Sequence, residues 1–211
     1  MSSAADPIRI LFLAGSLREG SMNRLLARAA ARLAPEDVEE VTLDSLGAVE
    51  PFDEDVERTG FPPGATAFVE QLRAVDGVFV ATPEYNGSIP GQLKNAFDWA
   101  SRPERGTGGL QASAMFGMPF AVVSASNGQF GGVWARDELT KALRTQGARA
   151  VDGPQVAVPR GDVAFAEDGT LLNRDTQERL RELVAALAHT ARLVRDARAR
   201  TREGTTPTAA A

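Results

Sequence analysis

Short runs that are apolar at nearly every position alternate along the chain with longer stretches in which apolar residues return every three or four places. The clearest runs are IRILFLA (8–14), GVFVAT (77–82) and PFAVVSA (119–125). A strand apolar on both faces belongs in a parallel sheet covered by helices on either side. VEEVTL (38–43) is more polar, as an edge strand would be, and AVDGPQVAVP (150–159) reads as a last strand segment. NRLLARAAARLA (23–34), ATAFVEQLRAV (65–75), PGQLKNAFDWAS (90–101), GVWARDELTKALRTQGA (132–148) and residues 174–200 carry the helical period. Pro90 opens one of these helices and Gly147 closes another. PFDEDVERTGFPPG (51–64) is acidic and turn-rich, and it predicts a loop.

Strands and helices in strict alternation predict a doubly wound α/β sandwich. Five strands with no sixth strand–helix unit fit the flavodoxin-like order, 2-1-3-4-5. The 211 residues read as one domain over 1–200, followed by a flexible tail over 201–211. In such sheets ligands bind beyond the carboxyl ends of the strands, where the winding changes direction. The loops after the first, third and fourth strands are therefore the places to find chemistry.

Composition narrows the chemistry. A formal charge of −5 gives no general attraction to nucleic acid or to an anionic bilayer. With no cysteine and the single histidine His189, thiolate nucleophiles, disulfides and histidine metal clusters are excluded. No stretch is long and apolar enough to span a membrane, and MSSAADPIRI lacks the pattern of a secretory leader, so a cytoplasmic protein is expected. The arginine-rich RLVRDARARTR (192–202) reads as a solvated helix end.

The first loop, AGSLREGSMN (14–23), runs straight into a helix. Ser16, Ser21 and Asn23 supply short polar side chains, Arg18 a cation, and the helix end unpaired N–H groups. This set suits a phosphate, and it equally suits an ordinary helix cap. It is neither a P-loop, lacking Gly-Lys-Ser/Thr, nor a G-x-G-x-x-G turn, and without those glycines Asp44 makes a weak ribose ligand. The second loop, Pro83-Glu84-Tyr85-Asn86-Gly87-Ser88, offers backbone and amide groups beside an aromatic ring. The third, SASNGQFGG (124–132), offers Ser124, Asn127, Gly128 and two further glycines ahead of a helix. Each loop alone reads as readily as a turn; three at one sheet edge point to a site.

GSLREGSMN, ATPEYNGSIPGQLKNAFDW and SASNGQFGG together resemble the NADPH-dependent FMN reductase family, which includes quinone, azo-dye and chromate reductases of flavodoxin-like fold. The likeness spans about residues 8–150. It implies that Ser16, Arg18, Ser21 and Asn23 surround the phosphate of FMN. It further implies that Pro83, Glu84, Tyr85, Asn86, Gly87 and Ser88 border the isoalloxazine, with Ser124, Asn127 and Gly128 on its other side. NADPH or NADH would be the co-substrate, and hydride would pass through the flavin to a small acceptor: free flavin, a quinone, an azo compound or a metal oxyanion. No catalytic side chain and no metal is required, because the cofactor carries the reaction. Lys94, Asn95, Asp98 and Trp99 read as structural. Where many relatives carry an arginine soon after the double glycine, this chain has Val133-Trp134.

The resemblance also implies a homodimer or homotetramer, for which Phe97 and Trp99 offer apolar surface. Two other functions are compatible with a flavin site: an electron carrier fed by a protein partner, and a redox-responsive binding protein whose partner surface is the arginine-rich helix.

Overall fold

A computed structural model describes residues 6–43, 45–103 and 108–204, the side chains of 202–204 excepted; Asp44 and residues 205–211 lie outside the described residues. The strands are β1 (Ile8–Ala14), β2 (Val38–Thr42), β3 (Gly77–Thr82), β4 (Pro119–Ala125), β5 (Arg149–Ala150) and β6 (Ala157–Val158). The helices are α1 (Met22–Arg32), α2 (Glu54–Thr59), α3 (Pro63–Arg73), α4 (Gly91–Ala100), α5 (Val133–Thr145) and α6 (Arg174–Gly204). All pairings are parallel in the order β2-β1-β3-β4-β5, with β6 also on β4. This is the doubly wound, flavodoxin-like order expected.

The two-residue period of the strands divides the core. Leu11, Leu13, Val78, Val80 and Phe120 face α3, α4 and α5, whereas Ile8, Ile10, Phe12, Phe79 and Val123 face α1 and α6. Two full cores on opposite faces explain why β1, β3 and β4 are apolar throughout.

Two boundaries differ from the sequence reading. The expected last strand over 150–159 is two two-residue pieces on β4, separated by residues 151–156. Gly153-Pro154 gives that stretch poor strand character. The acidic loop contains α2, whose Asp53 side chain accepts from the Asp55 amide at 2.7 Å while Glu54, Asp55 and Glu57 occupy the positive end of the helix.

Phe97 and Trp99 are fully buried within the monomer, so neither supplies an interface. Their helix instead uses its polar positions internally. Gln92 donates to the carbonyls of Leu46 and Val49 at 2.7 and 2.8 Å. Asn95 and Trp99 both donate to the Glu50 carbonyl, at 2.9 and 2.8 Å, and Asn95 Oδ1 accepts from the Phe52 amide at 2.7 Å. Residues 46–52 are thereby pinned to α4. Glu50 in turn accepts from the Gly64 and Ala65 amides at the start of α3, whose own N-cap is Pro62. Those amide bonds, Gly64's foremost, hold its carboxyl below the ordinary glutamate range.

Three arginines of α6 are engaged by the rest of the molecule. Arg192 pairs with Asp37, Arg195 donates to the Pro7 carbonyl at 2.9 Å and lies 3.6 Å from Asp76, and Arg198 reaches the Phe116 carbonyl at 3.4 Å. Each partner lies just ahead of a strand, so arginines spaced three apart fasten the amino edge of the sheet.

Candidate functional site

At the opposite, carboxyl edge three loops converge. The first leaves β1 at Gly15, whose amide donates to the Ala81 carbonyl at 2.9 Å. A Cβ at position 15 would lie 2.6 Å from Leu93, so this glycine serves packing against α4. Ser16 is buried; its hydroxyl accepts from the Arg18 amide at 3.3 Å and lies 3.4 Å from the Tyr85 hydroxyl. Ser21 caps α1 by accepting from the Asn23 amide at 3.2 Å. Arg18 is exposed and reaches back to the Gly20 carbonyl at 3.4 Å.

Asn23 has a different task from the one its sequence context suggests. Its amide donates to the Ala125 carbonyl and accepts from the Ala125 N–H, both at 2.9 Å, with the side chain buried. Both ends of the amide are thus used to tie α1 to the end of β4, and the side chain stands behind the site.

The second loop is a two-residue turn closed by reciprocal bonds, Tyr85 N–H to the Ser88 carbonyl at 2.9 Å and Ser88 N–H to the Tyr85 carbonyl at 3.1 Å. Asn86 and Gly87 have φ of 54° and 76°, the Asn-Gly signature of a type I′ turn. A Cβ on Gly87 would meet open space, so the backbone conformation alone selects glycine here. Helix α5 holds the turn at both ends. Glu84 accepts from the Trp134 and Ala135 amides at 3.1 and 3.2 Å, and Glu138 accepts from the Ile89 amide at 3.3 Å. The N-cap of α5 is Gly132, which has no side chain, so the Glu84 carboxylate does the capping.

In the third loop Ser124 is fully buried, its hydroxyl without a hydrogen-bond partner, and a Cβ on Gly132 would lie 3.2 Å from it. Ser124 therefore stands beneath the loop. The Ser126 amide donates to the Val158 carbonyl at 3.1 Å, and Asn127 Oδ1 accepts from the Asp162 amide at 3.1 Å. Gly131, with φ 63°, passes so close to Val158 that a Cβ would lie 2.7 Å from its backbone.

Between these loops lies a cavity of about 470 Å³. Its walls include Ser16, Arg18 and Ser21 from the first loop, Pro83, Glu84 and Tyr85 from the second, and Asn127 and Gly128 from the third. Met22, Ala125 and Ser126 also line it and were not singled out from sequence. Asn86, Gly87 and Ser88 form the turn beside it. Ser126 was discoverable in principle, as the serine just past the end of a predicted strand.

The donor set fits FMN. Two hydroxyls, an exposed guanidinium and the positive end of α1 suit a phosphate, while Pro83, Tyr85 and Met22 give less polar walls for a planar body. The volume is within the range of about 300–1,000 Å³ usual for small-molecule sites.

Residues 8–162 match the family model described as NADPH-dependent FMN reductase. The chain belongs to that family. It is 36% identical over 183 residues to an NAD(P)H-dependent FMN reductase of Pseudomonas aeruginosa, a match covering 87% of this chain and 95% of the relative. It is 36% identical over 152 residues to a quinone reductase of Escherichia coli, covering 72% and 77%. Among solved structures, the flavoenzyme NAD(P)H:(acceptor) oxidoreductase FerB from Paracoccus denitrificans superposes with a TM-score of 0.76 at 28% identity, over 88% of this chain and 98% of that one. As an FMN reductase family member the chain is an oxidoreductase that works with FMN and NAD(P)H. No helix among the described residues is long and apolar enough to cross a membrane.

Proposed function

We propose that the cavity at the carboxyl edge binds FMN with its phosphate against Ser16, Arg18, Ser21 and the start of α1, and its ring between the Pro83–Tyr85 segment and Asn127-Gly128. The observation that carries this reading is the convergence of a hydroxyl-and-cation helix entry with a rigid Asn-Gly turn on one cavity. Bound FMN supplies hydride chemistry, from NAD(P)H to an acceptor that follows it into the same place. The protein's part is positioning. Glu84 is committed to capping α5, which fixes the turn without offering a proton, and Asn23 locks the first loop to the third.

The acceptor is a small planar molecule of the quinone class. Tyr85 lines the cavity, Phe130 belongs to the third loop and Trp134 to the first turn of α5; all three are exposed, and the Phe130 and Trp134 rings meet edge to face at 5.6 Å. Such faces favour a flat unsaturated ring over a compact oxyanion. The homodimer or homotetramer expected of this enzyme would draw on the same exposed rim, since Phe97 and Trp99 are inside. We place the enzyme in the cytoplasm, with its nicotinamide co-substrate.

Steady-state oxidation of NADPH and NADH by the FMN-loaded protein, with a naphthoquinone, an azo dye and chromate as acceptors, tests the function; light scattering at micromolar concentration tests the assembly. Turnover fastest with the quinone is expected, and its loss in Trp134→Ala would place the acceptor at the rim. Reduction only of a redox protein partner would make the chain a carrier instead.

A further inference from the structure

Back to back with the flavin cavity, across the first turn of α1, lies a second one of about 280 Å³. Met22 lines the first and Arg24 the second; Ser16, just past β1, lines the first and Ala14, the last residue of β1, the second. Its polar walls are Arg24 and Arg28 from α1 with Glu40 and Thr42 from β2, over a floor that includes Phe12. Arg24 and Arg28 are one helical turn apart, where like charges repel. Among the described residues neither has a salt bridge, not even with Glu40, and the Nε of Arg24 is buried without any hydrogen-bond partner. Every other buried arginine nitrogen of the described residues has found an acceptor; Arg136, more deeply buried, bonds Asp137 and Gln155. A desolvated guanidinium N–H without a partner is destabilising, and so is the adjacent like charge. Both penalties are lifted by one ligand, an anion with several acceptor oxygens.

We propose that this cavity is a binding site for a phosphate group, held by Arg24 and Arg28 with the Thr42 hydroxyl beside them. The guanidinium fork matches phosphate oxygens in a way a lysine does not. The cavity is too small for a dinucleotide, so it takes a phosphate group alone. That phosphate is either the 2′-phosphate of NADPH, in which case the site rests on the functional reading above and sets coenzyme preference, or free inorganic phosphate.

The experiment is calorimetric titration of the FMN-loaded protein, whose flavin already fills the neighbouring phosphate loop, with inorganic phosphate, 2′,5′-ADP and 5′-AMP. The wild type, Arg28→Gln and Arg24→Gln/Arg28→Gln are compared. Arg28 is exposed, so its replacement leaves the core intact. Losing charge-assisted bonds should weaken phosphate binding by roughly tenfold or more in the double variant. Tighter binding of 2′,5′-ADP than of 5′-AMP, lost in the double variant along with any NADPH-over-NADH preference, identifies the coenzyme as the source. Arginine-dependent binding of inorganic phosphate with no such preference identifies the free anion. Equal phosphate affinity in wild type and double variant overturns the site. A protein that binds phosphate through these arginines yet fails to oxidise NAD(P)H keeps this proposal and loses the functional one.

Discussion

The two edges of the sheet use the same residue for opposite ends. At the amino edge Arg192, Arg195 and Arg198 of α6 each meet a carboxylate or carbonyl placed just before a strand. At the carboxyl edge Arg18 is exposed, and its guanidinium bonds only the neighbouring Gly20 carbonyl among the described residues, at the long distance of 3.4 Å. The arginines of the amino edge are part of the scaffold, whereas Arg18 stands beside two hydroxyls and a helix end on the wall of the cavity, where the proposed phosphate would meet it. The glutamates divide similarly. Glu50 and Glu84 each cap a helix whose own N-cap residue cannot do so. The carboxyl edge therefore contains two kinds of polar group, those that build the loops and those left for a ligand.

The strongest test of that division is Asn23→Ala. It leaves the buried N–H and C=O of Ala125 without partners, at about 1–3 kcal/mol each, so urea denaturation should show a loss of about 2–5 kcal/mol. Asn23→Asp accepts from Ala125 but cannot donate when ionised, and should fall between. FMN affinity should drop with stability, since the same tie sets the spacing of the first and third loops. Weakened FMN binding in a variant of unchanged stability would return Asn23 to the ligand.

Arg18→Ala should behave in the reverse way. Stability should stay within about 0.5 kcal/mol of wild type, as for a surface change, while FMN binding weakens by about 1.5–3 kcal/mol, the usual worth of a hydrogen bond to a charged group. Riboflavin, without the phosphate, should bind wild type and variant alike. Equal wild-type affinity for riboflavin and FMN would remove the phosphate from this loop.

Glu84→Ala removes the cap of α5 and should cost about 0.5–2 kcal/mol in chemical denaturation. Glu84→Gln keeps an acceptor oxygen and forfeits only the charge at the helix end, about 0.3–1 kcal/mol. Because the turn is also held through Glu138, turnover by Glu84→Gln should stay close to wild type. A collapse of turnover with normal folding would make Glu84 a proton donor.

Why some of this was legible in the chain and some was not follows from the range of the interactions. β1, β3 and β4 announce themselves because burial on both faces leaves no polar position, and the parallel order then follows from short connections. The Asn86-Gly87 turn is equally local, since its signal is two adjacent residues. Asn23 and Ala125 are 102 positions apart, and nothing near Asn23 distinguishes a structural amide from a phosphate ligand. Glu84 meets α5 across 50 positions and Arg195 meets Pro7 across 188, so neither partner is visible from a window of sequence. β5 and β6 are too short for a periodic pattern, and α2 is hidden in a loop because its caps and acidic first turn look the same as turn residues. The loops that line the cavity were legible in the chain; the groups that hold those loops were not.

The smallest expected effect belongs to the amino edge and completes the contrast. Arg195 donates to the Pro7 carbonyl at 2.9 Å and lies 3.6 Å from Asp76, which already accepts from the Arg9 amide at 2.9 Å. Removing Arg195 therefore leaves Asp76 with a partner, and the partly exposed Pro7 end of the strand can turn to water. Ion pairs open to solvent contribute about 0–1 kcal/mol, so Arg195→Ala should lose no more than that, with the loss shrinking further in high salt. Its FMN affinity and quinone turnover should equal those of wild type, because the whole length of the sheet separates it from the cavity. Set beside Arg18→Ala, this gives two arginine deletions with opposite signatures, one read in binding alone and one in stability alone. Were Arg195→Ala to release FMN as Arg18→Ala does, the amino edge would be coupled to the site through the strands, and the separation of scaffold from ligand-binding edge would fail.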